Sequence, residues 1–201
     1  MVAGVIAAVF LAGATTFIGL LAGPVGLVLG ALVGLPLGAA FGWAIGSTRA
    51  YDLRTPRGLL AYVVDFTWSL PNTIAGAMFL AINLARGNKV EPTYTEGKRC
   101  VHLGKGTFPG YLTTIGPVIA GVSENVHAHE HGHILQARIF GPLYLPAVAA
   151  NWVIATVLPF WLLYHDHARY PIKNVRAYFL DGVYPHNWNE AWCYRRYGPQ
   201  R

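Results

Sequence analysis

Apolar positions in this chain form long unbroken runs rather than alternating or periodic stripes. Residues 1–48 contain no charged side chain. That run is too long for one membrane-crossing helix and suits two, broken at Gly23-Pro24. Its second half carries Gly26, Gly30, Gly34, Gly38, Gly42 and Gly46, a glycine at every fourth position. Repeated G-x-x-x-G gives a helix a smooth face that lets another helix come close. Two readings follow: the two hairpin helices pack on each other, or the glycine face meets another copy or a partner protein.

A short polar loop with Arg49, Arg54 and Arg57 follows, and residues 58–85 are apolar again. Asp65, Pro71 and Asn72 interrupt them. A span broken at Ser69-Leu70-Pro71-Asn72 fits, and so do two helices lying at an interface. Asp65 in such a segment needs a partner, so it faces protein or water rather than lipid. Residues 86–110 are the most polar part. Short pieces around Thr93-Tyr94 and residues 100–103, with Gly97, Gly104 and Gly106, suggest a small β-hairpin. Residues 123–140 read as a helix stopped by Gly141-Pro142. Residues 143–164 carry no charge and are long enough to span, with Pro146, Asn151 and Pro159 inside. A polar, aromatic tail closes the chain.

Composition agrees with a bilayer. Hydrophobic residues make up 54% and charged residues 12%, about half the usual charged share of a soluble domain. Six Trp and eleven Tyr suit membrane interfaces. The net charge of +6 reads as Lys and Arg flanking apolar segments, because no dense basic patch with interleaved aromatics marks a nucleic-acid surface. The expected class is mainly α: a polytopic membrane protein with an N-terminal glycine-rich hairpin over 1–48 and a membrane-associated domain over 49–201. Cys100 and Cys193 stand outside any C-x-x-C pair, so one bridge and two free thiols both remain open. Gly104-Lys105 is not a phosphate-binding loop, since the glycine that loop requires earlier is Arg99 here.

The chemistry concentrates in His129-Glu130-His131-Gly132-His133, an H-E-x-x-H motif. Residues four apart share a helix face, so the imidazoles of His129 and His133 can grip one zinc ion. Glu130 lies one step around, placed to act as general base on a water without being a ligand. Two histidines need a third ligand. A metzincin would have glycine at 136 and histidine at 139; this chain has Gln136 and Ile139. An acidic residue from a later helix is the remaining option, and Glu190 falls in the first turn of a helix that Asn187 can cap. His186 is a candidate donor to an oxyanion. His127 and His131 form a second pair on the opposite side of the helix, free to hold a second ion or to face water. His165-Asp166-His167 suits a polar end that snorkels at an interface.

A topological condition attaches to Glu190. If residues 143–164 cross a bilayer fully, His133 and Glu190 lie on opposite sides of it. The proline and asparagine positions would instead let the segment bend back. If the two halves do not meet, Glu124 or Gln136 becomes the fallback ligand.

The run His129-Glu130-His131-Gly132-His133 followed by Gly141-Pro142-Leu143-Tyr144-Leu145-Pro146 resembles a group of uncharacterised small bacterial integral membrane proteins. Thr67-Trp68-Ser69-Leu70-Pro71-Asn72-Thr73, Gly182-Val183-Tyr184-Pro185-His186 and Trp188-Asn189-Glu190 extend the resemblance over about residues 60–195. It implies a shared fold in a bacterial plasma membrane and no particular reaction. Separately, His129, Glu130, His133 and Glu190 resemble the site of gluzincin-type, thermolysin-like zinc peptidases, which implies a metallopeptidase with a zincin-like metal-binding domain over 49–201. The other class is a non-catalytic subunit of a membrane complex packing through its glycine face. A haem-handling role for the His-rich turn is a third, weaker idea.

Overall fold

The computed structural model describes residues 1–107, 111–123 and 127–198. The first helices are α1 (Val2–Leu20) and α2 (Pro24–Thr48), joined by a turn in which Gly23 has φ 91° and Pro24 opens the second helix. They form a close antiparallel hairpin. A Cβ added at Gly19, Gly38 or Gly42 would overlap a backbone carbonyl of the facing helix, and one at Gly34 would overlap the Thr15 side chain. The face formed by Gly26, Gly30, Gly34, Gly38, Gly42 and Gly46 is therefore internal to the hairpin. The surfaces left exposed are apolar, with Val5, Val9 and Phe17 on α1 and Val25, Leu29, Leu32 and Trp43 on α2.

Helices α3 (Pro56–Phe66) and α4 (Leu70–Ala85) follow, so the break falls where Pro71 and Asn72 suggested it. Thr55 caps α3 by accepting from the Gly58 amide at 3.1 Å. The core then runs across the boundary near residue 48. Ala7, Leu11, Phe41 and Ile45 of the hairpin pack with Tyr62, Phe66, Ala77 and Leu80, and with Val101, Val118 and Ala120. The Tyr62 hydroxyl donates to the Ala3 carbonyl at 2.8 Å.

The polar stretch corrects the expected hairpin. Thr93 and Tyr94 belong to the one-turn helix α5 (Pro92–Thr95), because Pro92 sets a helical start. The strands are β1 (Val101–Leu103), β2 (Thr113–Ile115) and β3 (Val118–Ala120), in the order β1-β3-β2. β2 and β3 form the antiparallel hairpin, and β1 joins β3 in parallel. Gly76 of α4 lies against the Ile115 carbonyl and Pro117, which seats the sheet on that helix.

The motif lies on α6 (His127–Phe140); a 3-10 turn (Gly141–Leu143) leads into α7 (Tyr144–Val157). Two of the segments that carried the family resemblance meet here. Ser69 and Asn72 donate to the Ala137 carbonyl at 3.0 and 3.3 Å, and Asn72 reaches the Gly141 carbonyl at 2.7 Å. These are carbonyls that a helix end leaves without intrahelical partners. Gly141 has φ 54°, and the Trp68 ring occupies the space a Cβ would need.

After a 3-10 turn (Phe160–Leu163) the chain returns through α8 (Val175–Ala177), a π-helical segment (Tyr178–Val183), α9 (Tyr184–His186) and α10 (Trp188–Tyr197). The return retraces α7. Tyr178 donates to the Thr156 carbonyl at 2.6 Å, Tyr184 packs near Trp152, and the Trp188 amide donates to Asn151 Oδ1 at 2.9 Å. Asn151 thus caps α10. Asn187 stands at the cap position without a side-chain cap bond, because its side chain is turned inward and fully buried.

Asp65 has the partner its burial demands. Arg138 of α6 meets it with two bonds of 2.9 and 2.7 Å, Tyr51 donates at 2.6 Å, and the second Arg138 nitrogen also reaches the Arg99 carbonyl. Removing one member of a buried pair leaves an uncompensated charge and costs about 3–5 kcal/mol. Arg138→Met should lose stability of that order in thermal unfolding of the detergent-solubilised protein. The double variant Asp65→Leu/Arg138→Met should recover most of it. An equal loss in single and double variants would exclude the stranded carboxylate as the cause.

Candidate metal centre

On α6 the H-E-x-x-H spacing places His129 and His133 one above the other, both buried. α10 runs back along this face and brings Glu190 to them. His129 Nε2 lies 3.1 Å from Glu190 Oε2, His133 Nε2 lies 3.3 Å from Oε1, and the two Nε2 atoms are 3.0 Å apart. These separations are close to the roughly 3.3 Å between ligand atoms held about 2.0–2.1 Å from a tetrahedral zinc. The return of the chain along α7 is what unites the two halves.

Hydrogen bonds set the orientation of the His133 ring. Gln136 donates through Nε2 to the Asn189 carbonyl at 2.8 Å, which turns its Oε1 toward His133 Nδ1 at 3.0 Å. Tyr144 donates to the same Oε1 at 3.1 Å. His133 Nδ1 therefore donates to that acceptor, which leaves Nε2 as the ring nitrogen turned toward Glu190. Nε2 and Glu190 Oε1 face each other at 3.3 Å across a position that a proton on the ring or a metal cation can fill. Gln136 is not the ligand of the fallback reading. It holds the His133 ring from behind, through Nδ1. Glu124, the other fallback, lies outside the described residues.

Glu190 is buried, which favours its neutral form, but the hydrogen bonds from His129 and His133 outweigh this and hold the carboxyl down at about 2. It is an anion ready to meet a cation. Gly132 explains how α10 comes so close, because a Cβ there would strike the Tyr197 ring and the Cys193 sulfur.

Glu130 is buried and accepts the Thr114 hydroxyl of β2. It lines a cavity of about 610 Å³ together with Thr113, Thr114, His133, Arg176, Tyr184 and Glu190. β2 borders the sheet on this side. His186 is elsewhere. Its Nδ1 bonds the Gly182 carbonyl at 2.6 Å, its ring stacks on Trp161, and it lines a separate cavity with His165 and Tyr164. Tyr184, two residues earlier, takes the place expected of His186. Burial first, and then the Glu190 charge, push its phenol upward, so it stays a donor. The helical turn Tyr184–His186 points residues two apart in different directions, which no local pattern announced. His165 is also buried, bonding the Tyr170 carbonyl at 2.6 Å, while Asp166 and His167 are exposed.

Two groups of ligand-type side chains among the described residues are close enough to hold a metal ion: His129, His133 and Cys193, and Cys100, His102 and His131. Cys193 lies on the Nδ1 side of His133 at 3.6 Å and accepts from Gln136 at 3.5 Å, so it backs the first site from behind the ring. Its place could not be read from sequence, since it is 60 residues from its neighbour. Both cysteines are free thiols.

No protein-family model matches this chain, and no curated protein or solved structure is significantly similar to it.

Removing the Gln136 acceptor frees the ring of His133. Gln136→Leu should weaken metal binding by about 10–100-fold, the usual effect of losing an outer-shell partner. Competition with a fluorescent chelator would measure it, and wild-type affinity in the variant would remove Gln136 from this role.

Proposed function

We propose that this chain is an integral membrane zinc metallopeptidase of the His-His-Glu type. His129, His133 and Glu190 hold the ion and Glu130 is the general base. The single observation that carries the reading is the convergence of the two Nε2 atoms and the Glu190 carboxylate within 3.0–3.3 Å, with Glu130 on the same cavity wall.

When bound, zinc polarises a carbonyl and acidifies a water. The chain supplies the rest. Glu130, held by Thr114, accepts a proton from the attacking water and returns it to the leaving amine. Tyr184 keeps its proton and can donate to the developing oxyanion, with Arg176 as a further positive group on the wall. The border strand β2 offers backbone groups along the cavity, where an extended peptide can be aligned by strand addition. A wall that is largely apolar restricts water around the reacting atoms.

The membrane setting rests on three helical stretches long and apolar enough to cross: Val2–Leu20, Pro24–Thr48 and His127–Val157. Their exposed faces carry Val, Leu, Ile and Phe side chains that water would not favour. The third stretch carries the motif at its start, which sets the site at one end of it. The alternative of a non-catalytic subunit drew on the glycine series, and the closure of that face by α1 favours the catalytic reading.

Metal analysis of the detergent-purified protein tests the proposal. His133→Ala should lower the zinc content by one equivalent per chain. Glu130→Gln should keep that ion and reduce cleavage of a quenched-fluorescent peptide library by about 10²–10⁴-fold. Zinc content unaffected by His133→Ala, or undiminished cleavage by Glu130→Gln, would overturn it. The protein should also stay in the pellet when membranes are washed with alkaline carbonate, and release into the wash would contradict the integral setting.

A further inference from the structure

The opposite face of α6 carries a second constellation. We propose that Cys100, His102 and His131 form a buried structural metal site of thiolate-imidazole chemistry, suited to zinc, that ties the motif helix to the sheet. Cys100 Sγ lies 3.4 Å from His102 Nε2 and 4.0 Å from His131 Nε2. A sulfur and a nitrogen on one tetrahedral zinc, at about 2.3 and 2.0–2.1 Å, stand roughly 3.5 Å apart. The three ligand atoms all lie within 4.8 Å of one another, close enough for small side-chain movements to bring them onto one ion. Cys100 and His102 are fully buried and His131 is partly so. The ring of His127, one turn before His131, lies 4.9 Å from that of His102 and so borders the fourth side of the cluster.

The surrounding chain holds these atoms in place. Arg99 adopts φ 62°, a left-handed conformation that non-glycine residues rarely take, immediately before Cys100. Its carbonyl accepts from Arg138 and its amide donates to the Ala50 carbonyl at 2.8 Å. Arg138 is seven residues from His131, two turns along the same helix face. The ion pair that anchors α6 therefore also sets the distance between Cys100 and His131. On β1, the His102 amide donates to the Thr95 hydroxyl at 3.0 Å, which fixes that residue from the other side.

The donors are one thiol and two imidazoles, ligand types that structural zinc sites use. His102 presents its Nε2 to the Cys100 sulfur. Its other ring nitrogen, Nδ1, is buried without a hydrogen-bond partner among the described residues. Binding releases the Cys100 thiol proton to solvent and converts the sulfur to a thiolate ligand. Among the described residues no carboxylate joins this set, and two of its three members are fully buried. The catalytic-type site on the other face has a carboxylate and opens on a cavity.

Metal counting on the full chain separates the two sites. Detergent-purified wild type loaded with zinc should hold two equivalents. Cys100→Ser and His131→Ala should each hold one, and adding His133→Ala to either should leave none. Cobalt in place of zinc adds a second readout. A near-ultraviolet thiolate-to-cobalt charge-transfer band should be present in wild type and Cys193→Ser and missing in Cys100→Ser. Should Cys100→Ser fail to fold, His131→Cys keeps three ligands and adds a thiolate, so its band should be stronger than wild type. A metal content that Cys100→Ser leaves unchanged, a band that follows Cys193, or no stronger band in His131→Cys would overturn the proposal. An ion lost with His133→Ala but not with Cys100→Ser would sink this site and leave the other standing. The converse result would do the reverse.

Discussion

The bidentate pair between Arg138 and Asp65 is the contact on which the arrangement of this molecule turns. A carboxylate that is 2% exposed is stable only beside a matching cation, and guanidinium is the one side chain that meets it with two parallel bonds. Because Arg138 sits on α6 and Asp65 on α3, the pair fixes both the depth and the rotation of the motif helix. Tyr51 and the Arg99 carbonyl join the same network, so the loop after the hairpin and the residue before Cys100 are located by it as well. Ser69 and Asn72 hold the end of α6, completing its attachment to the break between α3 and α4.

Once α6 is so oriented, its two faces acquire different chemistry. The face shared by His131 and Arg138 looks toward the sheet and Cys100. The face shared by His129, His133 and Gln136 looks toward α10. Gly132 lies between them on the line where α10 approaches, and its missing side chain lets Glu190 reach both imidazoles. A single fourteen-residue helix therefore contributes to two separate groups of side chains that could each hold a metal ion.

Much of this was legible along the chain. Gly23-Pro24 and Ser69-Leu70-Pro71-Asn72 mark breaks that the helices respect, because proline and glycine act locally on the backbone. The histidine spacing announced a shared face for the same local reason. Asp65 announced its need of a partner through the energetics of burying charge, although not which arginine would answer. Thr93 and Tyr94 misled, since β-type side chains after a proline follow the helical turn that the ring sets. His186 misled because direction within a short irregular helix depends on its packing against Trp161, not on spacing.

By itself, then, the sequence determined the apolar helices, the glycine face of the second one and which histidines share a face. Each of these depends on the geometry of a few neighbouring residues. Only the tertiary structure decided that Glu190 rather than Gln136 faces the two imidazoles, that Cys193 and Gln136 stand behind them, and that Cys100 and His102 meet His131. Those meetings join residues some thirty to sixty positions apart. They depend on the return of the chain along α7, secured by the bond from the Trp188 amide to Asn151, and on the angle at which Arg138 sets α6. Spacing along a chain carries no record of such distances, because they are set by how whole elements pack.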